Sequence, residues 1–390
     1  MQLTLLAVNF FLITIISRQY GPGLYGEYAS SKSLSVLIGT ATVLSLALVT
    51  TKARASNASF SKNIFFNSYY LVIRNLIGAI VLLAPIVIVL GRDYTMTSLF
   101  LIGFVFNEMV HIALAYYQAK GNFVISSKQI LIRTILYGLG AWVIAANSYP
   151  IEFIIIYQVL ILFVFFLVAH YSIPKEDTGQ IISDDNKETR IELTTSGKKM
   201  VLTTFSSALI SELDIVLLGI FYSGSLLGVL AWSRRILEIL FQLLAASLDI
   251  LFPELSRAQN SKEVTDIRQR LRKVFVFSFS IPIVFFLLKD VAGSIFVALL
   301  GDEFNAVSEY TSLILFCLPL MVWSRINIIF SRALNFETYL TKTISIGAIL
   351  SYIIYFIIHS TGDNSAALSI IASQVLIALL TTYSFRKSYG

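Results

Sequence analysis

Charge is scarce in this sequence. Only 13% of its 390 residues are Asp, Glu, Lys or Arg, against about 25% in a typical soluble domain. Hydrophobic residues make up 56%, too many for a water-soluble globule to hide behind a polar surface. The single cysteine, Cys317, sits inside an apolar run; it excludes an intramolecular disulfide and offers no metal-site pattern. The three histidines, His111, His170 and His359, are scattered. The stretch "TSGKK" (Thr195 to Lys199) lacks the upstream glycine of a Walker A loop, which excludes nucleotide hydrolysis by that route. There is no Gly-x-Ser-x-Gly, no His-Glu-x-x-His and no pair of carboxylates on an aqueous domain. Catalytic residues, a metal site and a cofactor are therefore not expected. The net charge of +6 is explained by loops, as shown below, rather than by a nucleic-acid partner.

What the sequence has is long, continuous apolar runs, such as "IGAIVLLAPIVIVL" (Ile77 to Leu90) and "FIIIYQVLILFVFFLVA" (Phe153 to Ala169). A helix of about 20 apolar residues spans a bilayer core, and barrel strands would be shorter and alternating. The expected fold is an all-α membrane protein with twelve transmembrane helices. The first six apolar segments are 3–17, 28–49, 64–90, 95–117, 124–146 and 151–170. The second six are 200–222, 226–250, 274–288, 306–330, 342–359 and 364–384. The first is read as a span rather than a signal peptide, because no basic segment precedes it and no small-residue cleavage site follows. The ninth is interrupted by Lys289-Asp290; the run behind it, Val291 to Leu300, either lies in the interface or extends the span after a bend.

Basic residues set the orientation. Of the 29 Lys and Arg, twenty fall in loops on one side of this threading and three, Arg18, Arg92 and Lys289, on the other. The positive-inside rule then places both termini in the cytoplasm. The longest polar segment, Tyr171 to Lys199, has the composition of a flexible cytoplasmic linker. It divides the chain into an N-terminal lobe (1–170), a linker (171–199) and a C-terminal lobe (200–390).

The lobes echo each other. In "LYGEYASSK", Leu24, Gly26, Ala29, Ser31 and Lys32 match Leu226, Gly228, Ala231, Ser233 and Arg234 of "LLGVLAWSR" at one constant offset. Six spans per lobe make these parallel repeats, pseudo-symmetric bundles with substrate expected between them. The two glycines are expected to permit a tight outer corner, and the small residues a close helix approach.

At this point the sequence resembles a known family. "ISRQYGPGLYGEYASSKSL", "ELDIVLLGIFYSGSLLGVLAWSRRILEIL", "LFPELSRA" and "LLGDEFNAVSEYTSLILF" look like polysaccharide flippases of the multidrug/oligosaccharidyl-lipid/polysaccharide (MATE-like) exporter superfamily, above all the O-antigen or capsule repeat-unit flippases. The resemblance implies a V-shaped pair of six-helix bundles in a bacterial inner (plasma) membrane. It implies an undecaprenyl-diphosphate-linked oligosaccharide as substrate, and alternating access driven by a proton or sodium gradient instead of ATP. A polymerase and a chain-length regulator of the same pathway are the implied protein partners. The first span is shorter than in the family pattern, and twelve spans rather than fourteen argue against the lipid II branch.

Charges inside spans are the candidate site residues, because each costs about 2.5–3.5 kcal/mol at mid-membrane on insertion scales. The bases are Lys32, Arg74, Arg133, Arg234, Arg235 and Arg325; the acids are Glu108, Glu212, Asp214, Glu238 and Asp249. Arg234 and Arg235 lie four and three residues before Glu238, on one helix face. They either bind the substrate diphosphate, with Glu238 holding one of them, or form an intrahelical ion pair. Lys32 is the repeat mate of Arg234. Guanidinium suits bidentate phosphate recognition at Arg74 and Arg325; snorkelling to lipid phosphates is the alternative for both, and the default for Arg133. Glu108 and His111, three apart, either carry protons or link helices. Asp214 and Glu212, on a stripe with Thr203, Ser207 and Ser211, are coupling-ion candidates. Asn, Ser, Gln, Tyr and Trp232 are available to sugars. Two rival functions remain: a multidrug cation antiporter, which would be expected to carry an acid in the first span where this chain has none, and a polysaccharide polymerase, which would need a large outer loop.

Overall fold

The computed structural model describes residues 2–55, 64–89, 93–174, 185–249, 261–333, 337–359 and 364–389. Among these residues there is no β-strand. The first seven helices are α1 (Gln2–Thr42), α2 (Leu46–Ala55), α3 (Ile64–Val89), α4 (Tyr94–Ala119), α5 (Phe123–Ala146), α6 (Ile151–Tyr171) and α7 (Asp185–Phe221). Then follow α8 (Gly224–Asp249), α9 (Ser261–Leu287), α10 (Lys289–Leu300), α11 (Val307–Ile314), α12 (Cys317–Ala333), α13 (Glu337–Ile358) and α14 (Ser365–Tyr389). Among the described residues each apolar segment falls on helix but for single end residues, the second broken at 43–45 and the tenth at 315–316.

By length and composition, five described helices can cross a membrane, or eight when each of three sharply bent helix pairs counts as one span. The shortfall has a physical cause at α8, where Arg234, Arg235 and Glu238 interrupt every long apolar window. The most apolar helix, α6, has only 22% of its span buried within the protein, and α5 the same share. Apolar helices that expose Phe153, Leu160, Val164 and Val168 need a hydrocarbon solvent on that face.

The chain forms two compact units. Unit 1 comprises residues 1–20 and 31–208. Its core gathers Leu46, Phe65, Leu71, Ile112, Leu114 and Leu193 from α2, α3, α4 and α7. The α1–α2 pair bends by 44° at Leu44 and Ser45, whose φ angles of 52° and 53° lie in the left-handed region that residues other than glycine rarely enter. The neighbours fix this break. Asn75 Nδ2 donates to Thr42 O at 3.0 Å, and Ser45 Oγ meets Thr204 Oγ1 at 2.5 Å. A Cβ on Gly197 would stand 2.7 Å from Leu44 O, so α7 passes close to the strained turn.

The segment 171–199 reads from composition as a flexible linker. Residues 175–184 lie outside the described residues, but Asp185–Lys199 is the N-terminal part of α7 and is helical. Thr189, Leu193 and Gly197, four apart, are its buried stripe. Arg190 Nε donates to Asn67 Oδ1 at 2.8 Å, and its guanidinium lies 3.8 Å from the Tyr70 ring centre. Averaged composition hides a stripe of three residues in a polar helix.

Unit 2 comprises residues 21–30 and 209–390. Its core joins Leu217 and Leu218 of α7, Leu227, Leu230 and Leu237 of α8, Leu318 and Met321 of α12, Tyr355 of α13 and Ile370 of α14. The repeated glycines meet here, in a manner the sequence does not suggest. The corners themselves are made by Gly21, with φ of 73°, before Pro22, and by Gly224, with φ of 61°. Gly26 and Gly228 are both helical and lie against each other, so that a Cβ on Gly26 would stand 2.7 Å from Gly228 N. A Cβ on Gly228 would overlap the carbonyl of Pro22. The repeat therefore marks a helix crossing, where absent side chains let two backbones approach. In the same unit α9 and α10 meet at 75°, which ends the ninth apolar segment at Leu288, and Val291 and Ile295 are exposed.

Gly228→Ala is expected to cost about 1–3 kcal/mol, the usual penalty of overpacking, and to lower the melting temperature in detergent. Gly78→Ala, in α3 where an added Cβ meets nothing within 4 Å, is expected to leave it unchanged or raise it. Equal melting of the two variants would contradict the crossing.

Candidate functional site

Unit 2 holds a buried ionic cluster on four helices. Arg234 of α8 is completely buried and Asp214 of α7 nearly so. Arg234 Nε donates to Asp214 Oδ2 at 3.2 Å. Gln374 Nε2 of α14 donates to the same oxygen at 2.9 Å, and Tyr355 Oη of α13 donates to Asp214 Oδ1 at 3.4 Å. Three donors on one carboxylate explain how an acid is held in an apolar core. The guanidinium is less well served: Nη1 and Nη2 of Arg234 are buried without a hydrogen-bond acceptor.

One residue on, the arrangement differs. Arg235 Nη1 donates to Glu238 Oε2 at 2.6 Å, with the two side chains 20% and 16% exposed. Gln242 Nε2 donates to the other Glu238 oxygen at 3.0 Å. Arg235 Nε has no acceptor. Glu212 interacts electrostatically with both arginines. Of the two pairings open in the sequence, Glu238 thus takes Arg235, while Arg234 takes Asp214 from another helix. Asp214, a coupling-ion candidate, already holds a resident cation. Trp232, a candidate for sugar contact, is 1% exposed and packs on Tyr25 at 6.2 Å between ring centres; it is core. The side chains of Thr203, Ser207 and Asp249 lie outside the described residues.

Unit 1 holds a cavity of about 500 Å³ beside the strained α1–α2 break. Its polar lining is Thr40, Ser45, Thr51, Glu108, His111, Gln118 and Thr204. Glu108 and His111, three apart on α4, therefore share one wall. Arg133 of α5 interacts electrostatically with both. Its Nη1 is buried without an acceptor, while the residue as a whole is half-buried.

The remaining candidates stand apart. Arg74 is exposed on α3 and donates through Nε and Nη2 to Asn75 Oδ1 at 3.3 and 3.1 Å. Lys32 on α1 and Arg325 on α12 are half-buried. Sequence reasoning missed Tyr355 and Gln374. Gln374 left a signal, an amide inside the apolar run "IIASQVLIALL"; Tyr355 left none.

Breaking a buried ion pair by removing one partner costs about 3–5 kcal/mol, because the other charge is left unpaired. Arg234→Met and Asp214→Asn are each expected to lower thermal stability by that order. The double variant is expected to recover much of the loss. Additive losses in this cycle would show that the two groups do not interact.

A family model described as polysaccharide biosynthesis protein matches residues 44–309. No curated protein matches the chain. Among solved structures, the lipid II flippase MurJ in an inward closed conformation superposes with a TM-score of 0.76 at 13% identity, over 99% of this chain and 86% of that one. An inward-facing multidrug resistance MATE family transporter of the MOP superfamily gives 0.70 at 11%, over 98% and 94%. The Vibrio cholerae MATE transporter VcmN gives 0.61 at 14%, over 99% and 93%. At such identities the superpositions speak for the fold, that of a multi-pass membrane transporter. The family match spans more than half of the sequence, and the chain accordingly belongs to the polysaccharide biosynthesis protein family, built on the fold of the MOP superfamily's flippases and exporters.

Proposed function

We propose that the chain moves undecaprenyl-diphosphate-linked oligosaccharide repeat units from the cytoplasmic to the outer leaflet of a bacterial inner membrane, for O-antigen or capsule synthesis. It does so as a transporter without a catalytic residue, by ion-coupled alternating access of two six-span lobes. Twelve spans with both termini in the cytoplasm complete this reading, supported by the twenty-to-three division of loop Lys and Arg. A polymerase and a chain-length regulator are the protein partners it would serve.

The observation that carries the proposal is the set of unspent donors on α8. Arg234 Nη1 and Nη2 and Arg235 Nε are buried without acceptors, in a family of polysaccharide biosynthesis proteins. A diphosphate is an anion with several acceptor oxygens, and guanidinium forks match it. Arg235, partly exposed, makes the first contact. Arg234 is fully buried and already bonded to Asp214, so it joins only if its surroundings open.

Deleting the gene is expected to remove surface glycan and to leave undecaprenyl-linked repeat units on the cytoplasmic leaflet. Arg235→Ala is expected to cut export at least about tenfold at normal protein level, the effect of losing one charge-assisted hydrogen bond of roughly 1.5–3 kcal/mol. Arg235→Lys keeps the charge without the fork and should fall between. Intact glycan with new drug sensitivity in the deletion strain would instead favour a multidrug antiporter.

A further inference from the structure

The cavity of unit 1 is built around a carboxylate with nothing to hold it. Glu108 lies near the middle of α4, whose whole length is apolar enough to cross a membrane. It is half-buried and lines the cavity. Among the described residues it accepts no hydrogen bond and forms no ion pair. His111, on the same wall, likewise has neither. An ionised carboxylate in that position costs several kcal/mol, and Asp214 shows how this chain pays when a carboxylate is to stay ionised: three donors from three other helices. Glu108 has none of them.

The charged groups on the packed helices narrow the choice of occupant. Arg133 of α5 is the one that reaches Glu108 electrostatically. On α2, Lys52 is exposed and Arg54 sits 5.9 Å from the Tyr116 ring centre. Arg74 of α3 bonds Asn75. Glu152 and His170 lie in the first and last turns of α6. Lys198 of α7 is exposed, and Lys32 of α1 lies two helical turns before the cavity residue Thr40. Arg133 disfavours any added positive charge, proton and metal ion alike. A metal ion also needs several ligands, and among the described residues no group of three His, Cys, Asp or Glu could hold one; a proton needs a single carboxylate oxygen.

We propose that Glu108 is a proton-binding group, served by the unit 1 cavity, with His111 beside it and Arg133 as the opposing fixed charge. The proton adds to one carboxylate oxygen from water entering the cavity and leaves from the same atom; no other bond changes. When Glu108 is ionised, its partner is Arg133, so proton release draws α4 and α5 together and uptake lets them part. The strained break at Leu44 and Ser45 borders the same cavity and supplies a second movable wall, strain of this kind being retained where a site uses it. The inference rests on the transporter reading only for what the proton drives.

The test uses the full-length protein in lipid nanodiscs and dicyclohexylcarbodiimide, which modifies protonated carboxyls in apolar surroundings, with peptide mass spectrometry as readout. Glu108 is expected to be modified, about fivefold or more at pH 5.5 than at pH 8, and equally with or without sodium. Arg133→Gln is expected to extend the modification by about one pH unit toward alkaline, as the loss of a nearby opposite charge requires; if that variant does not fold, the wild-type pH series decides alone. No modification of Glu108, modification independent of pH, or protection by sodium at constant pH would each overturn the proposal. Glycan export is not read in this experiment, so a negative result leaves the cargo assignment standing.

Discussion

A charge in an apolar interior must be compensated where it stands. The carboxylate of Asp214 is the fullest case: a guanidinium, an amide and a phenol converge on it from α8, α14 and α13. Every helix in that list must arrive at one register for the cluster to form. The cluster therefore does more than neutralise a charge. It ties together four helices that apolar packing alone would let slide, since Leu against Leu tolerates a shift that a hydrogen bond does not.

The same requirement explains what the sequence disclosed. Long apolar runs announce helices in lipid, and among the described residues each run is helical but for single end residues and the breaks at 43–45 and 315–316. Charges within those runs announced themselves by their cost. Their partners stayed hidden because partnership is a matter of three dimensions. Arg234 had Glu238 at helical spacing, the only partner a linear reading can offer, yet it bonds Asp214, twenty residues away on another helix. Arg235, the neighbour with the less favourable spacing, took Glu238 instead. Tyr355 was invisible for the same reason, and Gln374 showed only as an amide in an apolar run, both being neutral residues that matter because Asp214 faces them. The N-terminal part of α7 was misread for a different one: a buried stripe of Thr189, Leu193 and Gly197 is too thin to change the average of a polar segment.

The repeated corner shows how a correct signal can carry a wrong mechanism. The matched glycines at 26 and 228 are real features of the sequence, and glycine suggests a turn. The turns fall a few residues earlier, at Gly21 and Gly224. Gly26 and Gly228 instead remove side chains from one crossing, and the residues after them, Ala29, Ala231 and Ser233, are buried on the following turns. Ser233 Oγ donates to Val229 O at 3.0 Å and to Val307 O at 3.3 Å, satisfying a hydroxyl that apolar neighbours would strand. Smallness and satisfied polarity, rather than turn formation, are what the repeat preserves.

The two units handle their acids in opposite ways. Asp214 takes donors from three other helices, one of them a fully buried arginine, and such a group holds those helices in register. Glu108 faces a cavity, has a cation nearby but not bonded, and lies next to a backbone held in a strained conformation. In the proposed cycle such a group alternates between an ionised state drawn to Arg133 and a neutral state free of it. Through that cycle the Asp214 site keeps its helices in register while Glu108 changes charge.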